Sequence, residues 1–351
     1  MLNYRSFVKD GFHFLSCVKP FKLYNFVVLS FSYFVSKILK RPKIKGYPFS
    51  MSIEVTTFCN LRCKECPSGL RKFTRPTGRI NPDLFQNIIN QVKDHLVYLT
   101  LYFQGEPYLH TQFLELVAYA NKNGIYTATS TNGHYLTVEK ARQTVKSGLS
   151  RLIVSLDGMD QDTYGKYRIS GDVEKVKEGL HNLITAKREA GASTPYVILQ
   201  FIAFAHNKHQ IDEIKAYGKA VGVDEVQIKS AQIYDFEKGS DLMIDDPAYS
   251  RYEQTPDGSW QIRSALPDRC WRMWSGCVVT WDGMVVPCCF DKDADHRLGN
   301  LADNSFKQIW NDSPYREFRT ALYSNRKQID ICKNCTEGLS KKNKALHEER
   351  P

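Results

Sequence analysis

Between residues 52 and 233, six short β-branched, apolar runs alternate with stretches of helical period. Nothing else in the chain restricts its fold as strongly. The strand-like runs are SIEVTTF (52–58), YLTLYFQG (98–105), YTATSTNG (126–133), RLIVSLDG (151–158), YVILQFIAF (196–204) and EVQIKSAQI (225–233). The helical stretches between them are 82–95, 111–124, 137–148, 172–191 and 209–222, with Asn81 placed to cap the first and Gly124 to end the second. Strand–helix alternation of this kind implies an α/β fold built on a parallel sheet with right-handed crossovers. Six units suit a partial (β/α)6 TIM-like barrel better than a closed barrel of eight. In such barrels the chemistry gathers where the strands end. Four polar, mostly glycine-bearing motifs stand there: CNLRCKEC, QGEP, STNG and SLDG.

The first motif sets Cys59, Cys63 and Cys66 in a C-x3-C-x2-C pattern. Structural zinc takes four ligands, commonly from two C-x2-C knuckles. An iron–sulfur cubane also takes four cysteines in its usual form. Three thiolates on one loop therefore leave one iron open for a small molecule. Six further cysteines, at 270, 277, 288, 289, 332 and 335, lie in the C-terminal third, and Cys17 stands alone. A chain of 351 residues without a cleavable leader pattern does not suit a disulfide framework, so clustered cysteines point to metal. With 42% hydrophobic and 25% charged residues, disorder is excluded as the default state.

The cysteine loop after the first strand resembles the cluster loop of the radical S-adenosylmethionine (SAM) superfamily. That resemblance implies a 4Fe-4S cluster on Cys59, Cys63 and Cys66, with SAM on the open iron. It implies reductive cleavage of SAM to a 5′-deoxyadenosyl radical that abstracts hydrogen from a substrate. Gln104, Gly105, Glu106 and Pro107 resemble the family's GGEP stretch at the methionine amine, with Gln in place of the first Gly. Ser130 and Asn132 resemble the segment near the SAM ribose, and Ser155 and Asp157 the fourth-strand segment. Arg168 is expected to reach the SAM carboxylate or the substrate. Many members carry an aromatic residue just before the third cysteine; here it is Glu65.

Cys270, then Gly283-x4-Cys288, then Cys332-x2-Cys335 resembles the SPASM and twitch modules that hold auxiliary 4Fe-4S clusters. A full SPASM module continues with further cysteines, and none follows Cys335. The expectation is one auxiliary cluster on Cys270, Cys288, Cys332 and Cys335, twitch-like, with no open iron and so suited to carrying an electron. Cys277 and Cys289 stand as rival ligands, although adjacent strand residues point to opposite faces and would separate Cys289 from Cys288. A zinc ribbon of Cys270, Cys277, Cys332 and Cys335 is the other reading of this module.

The expected organisation is an apolar and basic helical extension (1–50), the barrel core (51–234), a linker or excursion rich in Asp, Gly, Ser and Pro (235–269), a cluster module (270–338) and a basic tail (339–351). Within the module, VVTWDGMVV reads as a hairpin turning at Asp282-Gly283, followed by one helix over 303–322. FVVLSFSYFVSKIL (26–39) is too short to span a bilayer. Residues 1–45 read either as a helix packed outside the main domain or as an amphipathic one lying on a membrane.

The functional expectation is a radical SAM oxidoreductase of cytoplasmic location, with membrane association through residues 1–45 as a further option. Its substrate would be a small molecule, carbohydrate, lipid or peptide, and its electron donor a flavodoxin or ferredoxin. The alternatives are a peptide-modifying maturase, or an iron–sulfur carrier or sensor without SAM chemistry. The net charge of +10 alone does not argue for a nucleic-acid partner, and none is expected.

Overall fold

The computed structural model describes residues 2–335. The proposed tail at 339–351 and the last residues of the cluster module lie outside this range. Two helices open the chain, α1 (Tyr4–Ser16) and α2 (Pro20–Leu39). The core then runs β1 (Ser50–Ile53), α3 (Pro82–Val92), β2 (Tyr98–Thr100), α4 (Phe113–Lys122), β3 (Tyr126–Thr131), α5 (Val138–Lys146), β4 (Arg151–Ser155), α6 (Val173–Glu189), β5 (Tyr196–Ala203), α7 (Ile211–Val221) and β6 (Glu225–Ser230). Neighbouring strands from β1 to β6 pair in parallel, in sequence order.

Local sequence explains where these elements start and stop. The Asn81, Thr137 and Asp172 side chains accept hydrogen bonds from the first-turn amides of α3, α5 and α6. Gly222 ends α7 in a left-handed conformation. Helices and strands bury Phe85, Ile88, Val117, Leu152, Val154, Leu180 and Leu199 in one continuous core. The first strand stops at Ile53, five residues before the sequence-based end, because the Glu54 side chain is drawn into an ion pair and Thr56 and Thr57 turn to bond Gly78.

The C-terminal segment does not stand apart from the barrel. Strand β9 (Gly276–Val279) pairs in parallel with β1. The hairpin returns through Gly283, at φ +87°, into β10 (Met284–Val286), and β11 (Gly299–Asn300) follows. One nine-stranded sheet results, in the order β11-β10-β9-β1-β2-β3-β4-β5-β6. The single helix expected over 303–322 is two, α8 (Phe306–Asn311) and α9 (Ser313–Asn325). Asp312 breaks it by adopting an extended conformation and capping α9, and Pro314 has no amide to continue α8. The segment 235–269 is a folded excursion. It contains the hairpin of β7 (Tyr252–Gln254) and β8 (Trp260–Ile262), and it packs Phe236, Leu242 and Tyr252 against Leu61 and Tyr167 in a second core.

Candidate functional site

Cys59, Cys63 and Cys66 sit on the loop that leaves β1, and all three are free thiols. The loop is shaped by backbone bonds from Arg62 N–H to Ile169 O (2.9 Å) and Lys64 N–H to Tyr167 O (3.3 Å). A short helical turn, Pro67–Leu70, then crosses it. At Gly69 a Cβ would lie 2.6 Å from the Cys63 backbone, so no larger residue fits the crossing. The loop is closed at its base by the Arg75–Glu54 pair. Its two hydrogen bonds, 2.8 and 2.6 Å, form a bidentate fork between buried side chains. The Trp281 amide, in the hairpin turn, also donates to Glu54.

Burial pushes the Cys59 thiol up to about 12 and raises Cys63, with the neighbouring cysteines adding to both. Thiols packed this way resist ionising together unless positive charge is brought in. Part of it is present. Arg168 donates Nε to Asp157 at 2.6 Å and rests Nη1 3.8 Å from the Cys63 sulfur. Asp157, fully buried, also accepts from the Ile202 amide. Arg168 and Asp157, expected at the cofactor or substrate, thus form a charged prop beneath the cysteine loop.

The QGEP stretch lies across from the loop. Gly105 has φ +75°, and a Cβ there would stand 2.4 Å from the Thr56 carbonyl. Its amide donates to Ser68 Oγ (2.9 Å), and the Glu106 amide to Phe58 O (2.8 Å). The Glu106 carboxylate accepts from Thr131 Oγ1 (2.7 Å), the Asn132 amide (2.7 Å) and the Tyr108 amide (3.2 Å). Burial still raises its pKa to about 7, against these hydrogen bonds. A buried carboxylate so placed is suited to an incoming cation. Asn132 Nδ2 donates to Asn60 in the cysteine loop (2.8 Å). Ser130 and Ser155 lie at the ends of β3 and β4, Gln104 is buried, and Pro107 begins a short 3-10 turn. Glu65, at φ +51°, accepts from the Tyr234 amide at 2.8 Å.

Cys17 is buried near the end of α1, and the six C-terminal cysteines divide into three groups. Cys270, Cys332 and Cys335 gather around the buried Arg326, whose Nη2 lies 3.2 Å from Cys335 Sγ, and Cys288 neighbours Cys270 and Cys335. Burial pushes Cys332 up to about 11 and Cys288 well above its ordinary value. Cys277 instead joins the core beside Tyr315. Cys289 is exposed, beside Cys288 in the turn that follows β10, and neighbours Tyr234, Lys292 and Arg251; β10 ends at Val286, so strand alternation does not separate the two cysteines. Arg251, near Cys335 and Cys289, has two buried guanidinium nitrogens, Nε and Nη1, with no hydrogen-bond partner. Buried N–H groups of this kind call for an acceptor, and thiols are the nearby groups that can become anionic. None of Arg75, Arg251 and Arg326 is marked by a motif, because each reaches its partner through the fold.

Among the described residues no three His, Cys, Asp or Glu side chains lie close enough to hold one metal ion. A cubane spreads its cysteines over different irons, so it does not need three side chains close to one ion. Between the cysteine loop and the segment after Cys289 lies a cavity of about 570 Å³, lined by residues that include Glu65, Tyr234, Asp291 and Lys292.

Comparison with known proteins agrees with this arrangement. Residues 53–200 match the radical SAM superfamily, and residues 270–336 match the SPASM iron–sulfur cluster-binding domain. The tungsten-containing aldehyde ferredoxin oxidoreductase cofactor-modifying protein of Pyrococcus furiosus is 25% identical over 299 residues, 76% of this chain and 82% of that one. The mycofactocin maturase MftC of Mycobacterium ulcerans is 27% identical over 78% of this chain and 77% of its own. Among solved structures, Streptococcus suis SuiB bound to the precursor peptide SuiA superimposes with a TM-score of 0.62, at 14% identity, over 87% of this chain and 74% of that one. The matches bring SAM chemistry to the first domain and iron–sulfur clusters to both, and a carrier or sensor without SAM chemistry is set aside. The chain belongs to the radical SAM superfamily and carries a C-terminal SPASM-type iron–sulfur module.

Proposed function

We propose that this enzyme is an oxidoreductase whose first cluster is held by Cys59, Cys63 and Cys66, and that a single auxiliary cluster is held by Cys270, Cys288, Cys332 and Cys335. The bound cluster and SAM supply reductive cleavage and a hydrogen-abstracting radical. The protein's part is positioning. Arg168 offsets thiolate charge at Cys63 and Glu106 receives the SAM amine, while Asn132 ties the ribose-side segment to the cysteine loop. The observation that carries the reading is the gathering of three thiols around Arg326, with Cys288 beside two of them, and the unpartnered Arg251 nitrogens. Four thiolates would leave no open iron, which would suit an auxiliary cluster to taking up the electron of the substrate radical and so completing a two-electron oxidation. The donor to the first cluster is of the flavodoxin or ferredoxin class.

A peptide substrate is the second reading. MftC is named a maturase, and SuiB is seen with a precursor peptide. The 570 Å³ cavity, with carboxylates and Lys292 on its wall, fits a polar substrate or a peptide turn equally well. Anaerobic reconstitution, reduction with dithionite and addition of SAM test the first reading. About eight irons per chain and release of 5′-deoxyadenosine are expected. About four irons with cleavage would remove the auxiliary cluster, and iron without cleavage in the presence of candidate substrates would remove the radical chemistry.

A further inference from the structure

Helix α2 is built inside out. Its buried stripe is Lys22, Asn25, Leu29, Ser32 and Ser36, mostly polar. Its exposed face includes Phe21, Tyr24, Phe31, Phe34 and Ile38, with Phe31 67% exposed. A helix covering a water-soluble domain shows the reverse pattern. The buried polar groups are all used. Lys22 Nζ donates to Gly124 O at 2.7 Å, Asn25 bonds both backbone groups of Tyr47 at 2.8 Å, and Ser36 Oγ accepts from the Lys43 amide at 2.8 Å. The packing is therefore specific, and the apolar face is turned outward by it.

Helix α1 adds to the same surface. Asp10 is buried against Tyr126 and Arg151, and His13 bonds Ser150, leaving Tyr4, Phe12 and Leu15 outside. Thirteen of the eighteen large apolar side chains exposed among the described residues lie between Tyr4 and Leu39. Such a concentration marks an interaction surface.

Charge identifies what it meets. Residues 1–45 contain nine Lys and Arg and one acidic residue, Asp10, which is buried and paired. The segment thus carries a net charge of +8, against +10 for the whole chain. All of these basic side chains but Lys22 are exposed, and Lys37, Lys40, Arg41, Lys43 and Lys45 cluster at the end of α2. No single helix is long and apolar enough to cross a membrane, and α1 and α2 meet at 91°.

We propose that α1 and α2 form a docking surface for an anionic phospholipid bilayer, lying in the interface with Phe, Tyr and Leu in the acyl boundary and the basic cluster at the headgroups. The contacts that fix both helices are made where strands begin: Tyr126, Ser150 and Arg151 for α1, and Gly124, Tyr47, Phe49 and Trp271 for α2. The cysteine loop leaves the opposite end of the barrel. Docking therefore turns the cluster site away from the bilayer and leaves it open to water-borne substrate and electron donor. This proposal does not depend on the substrate or on the number of clusters.

Flotation of the full, reconstituted chain with vesicles tests it. We expect the protein to float with vesicles of phosphatidylcholine and one-third phosphatidylglycerol. Binding to phosphatidylcholine alone should be at least about tenfold weaker, and raised salt should loosen the anionic vesicles. Replacing Phe31, Phe34 and Ile38 together by Ser should abolish flotation while iron content and SAM cleavage stay unchanged. Lys37→Glu with Lys40→Glu and Arg41→Glu should remove the anionic preference. Three results overturn the proposal. One is no flotation of the unaltered chain on either vesicle. Another is attachment indifferent to lipid charge and resistant to salt and alkaline carbonate, the mark of a spanning segment. The third is a dimer, seen by sedimentation in the absence of lipid and abolished by the Ser substitutions, in a chain that does not float.

Discussion

Arg168 stands between Asp157 and Cys63, its Nε 2.6 Å from the carboxylate and its Nη1 3.8 Å from the sulfur. The side chain is mostly buried, so its charge acts in a medium that screens it weakly. Replacing Arg168 by Met would strand the buried Asp157 carboxylate, a change that costs on the order of 3–5 kcal/mol. We expect a lower thermal midpoint and reduced iron at the first cluster. Arg168→Lys should restore part of both, since it keeps the charge and loses the fork. Loss of iron with no change in stability would argue against the prop.

The Glu54–Arg75 fork gives a separate test of how the cysteine loop is held. Arg75→Met should destabilise the fold by roughly 3–5 kcal/mol, read from denaturant midpoints, because a buried carboxylate loses its partner. The double variant Glu54→Gln, Arg75→Met should recover a substantial part of that loss. Equal losses in the single and double variants would show that Arg75 acts through its packing on Phe73 and Phe103 instead.

Glu106 makes a prediction about pH. Its folded pKa of about 7 lies above the ordinary carboxylate value, and burial is the cause. Between the two values the folded chain keeps a proton that the unfolded chain has released. This contribution to stability is therefore fully present at low pH and is lost as pH rises toward about 7. The apoprotein's thermal midpoint should decline less across that window in Glu106→Gln. The same substitution should weaken SAM binding, measured by calorimetry, through loss of the carboxylate proposed to receive the amine. An unaltered pH profile would show that Glu106 is ionised throughout.

The auxiliary site predicts an iron count. Cys332→Ala with Cys335→Ala should lower iron from about eight to about four per chain and spare SAM cleavage. On the proposed ligand set Cys277→Ala and Cys289→Ala should leave iron unchanged; Cys277 packs in the core beside Tyr315. Iron lost from Cys277→Ala would favour the alternative ligand set.

Lys292 faces the cavity wall with its Nζ 4.7 Å from the Tyr234 ring centroid, and burial lowers its pKa. Lys292→Met should raise KM for substrate more than it lowers kcat, with SAM cleavage in the absence of substrate unaffected. A fall in uncoupled cleavage would place Lys292 at the cofactor instead.

Several features were fixed by local sequence. The parallel alternation of strands and helices followed from hydrophobic period and from capping residues such as Asn81, Thr137 and Asp172, whose hydrogen bonds reach only a few residues along the chain. The cysteine triplet and the Asp282-Gly283 turn are equally local, as is the apolar character of 20–39. What the sequence alone left open was decided by contacts between distant segments. Only the folded sheet joins β9 to β1, and only burial brings Arg75 to Glu54, Arg168 to Cys63 and Arg326 to Cys335 across 21, 105 and 9 positions. The outward turn of the apolar face of α2 depends on which side of that helix finds backbone partners. The physical reason is the same in each case. Propensity, capping and turn chemistry act over one or two turns of chain, whereas the desolvation that forces charges and thiols to find partners exists only once the interior has formed.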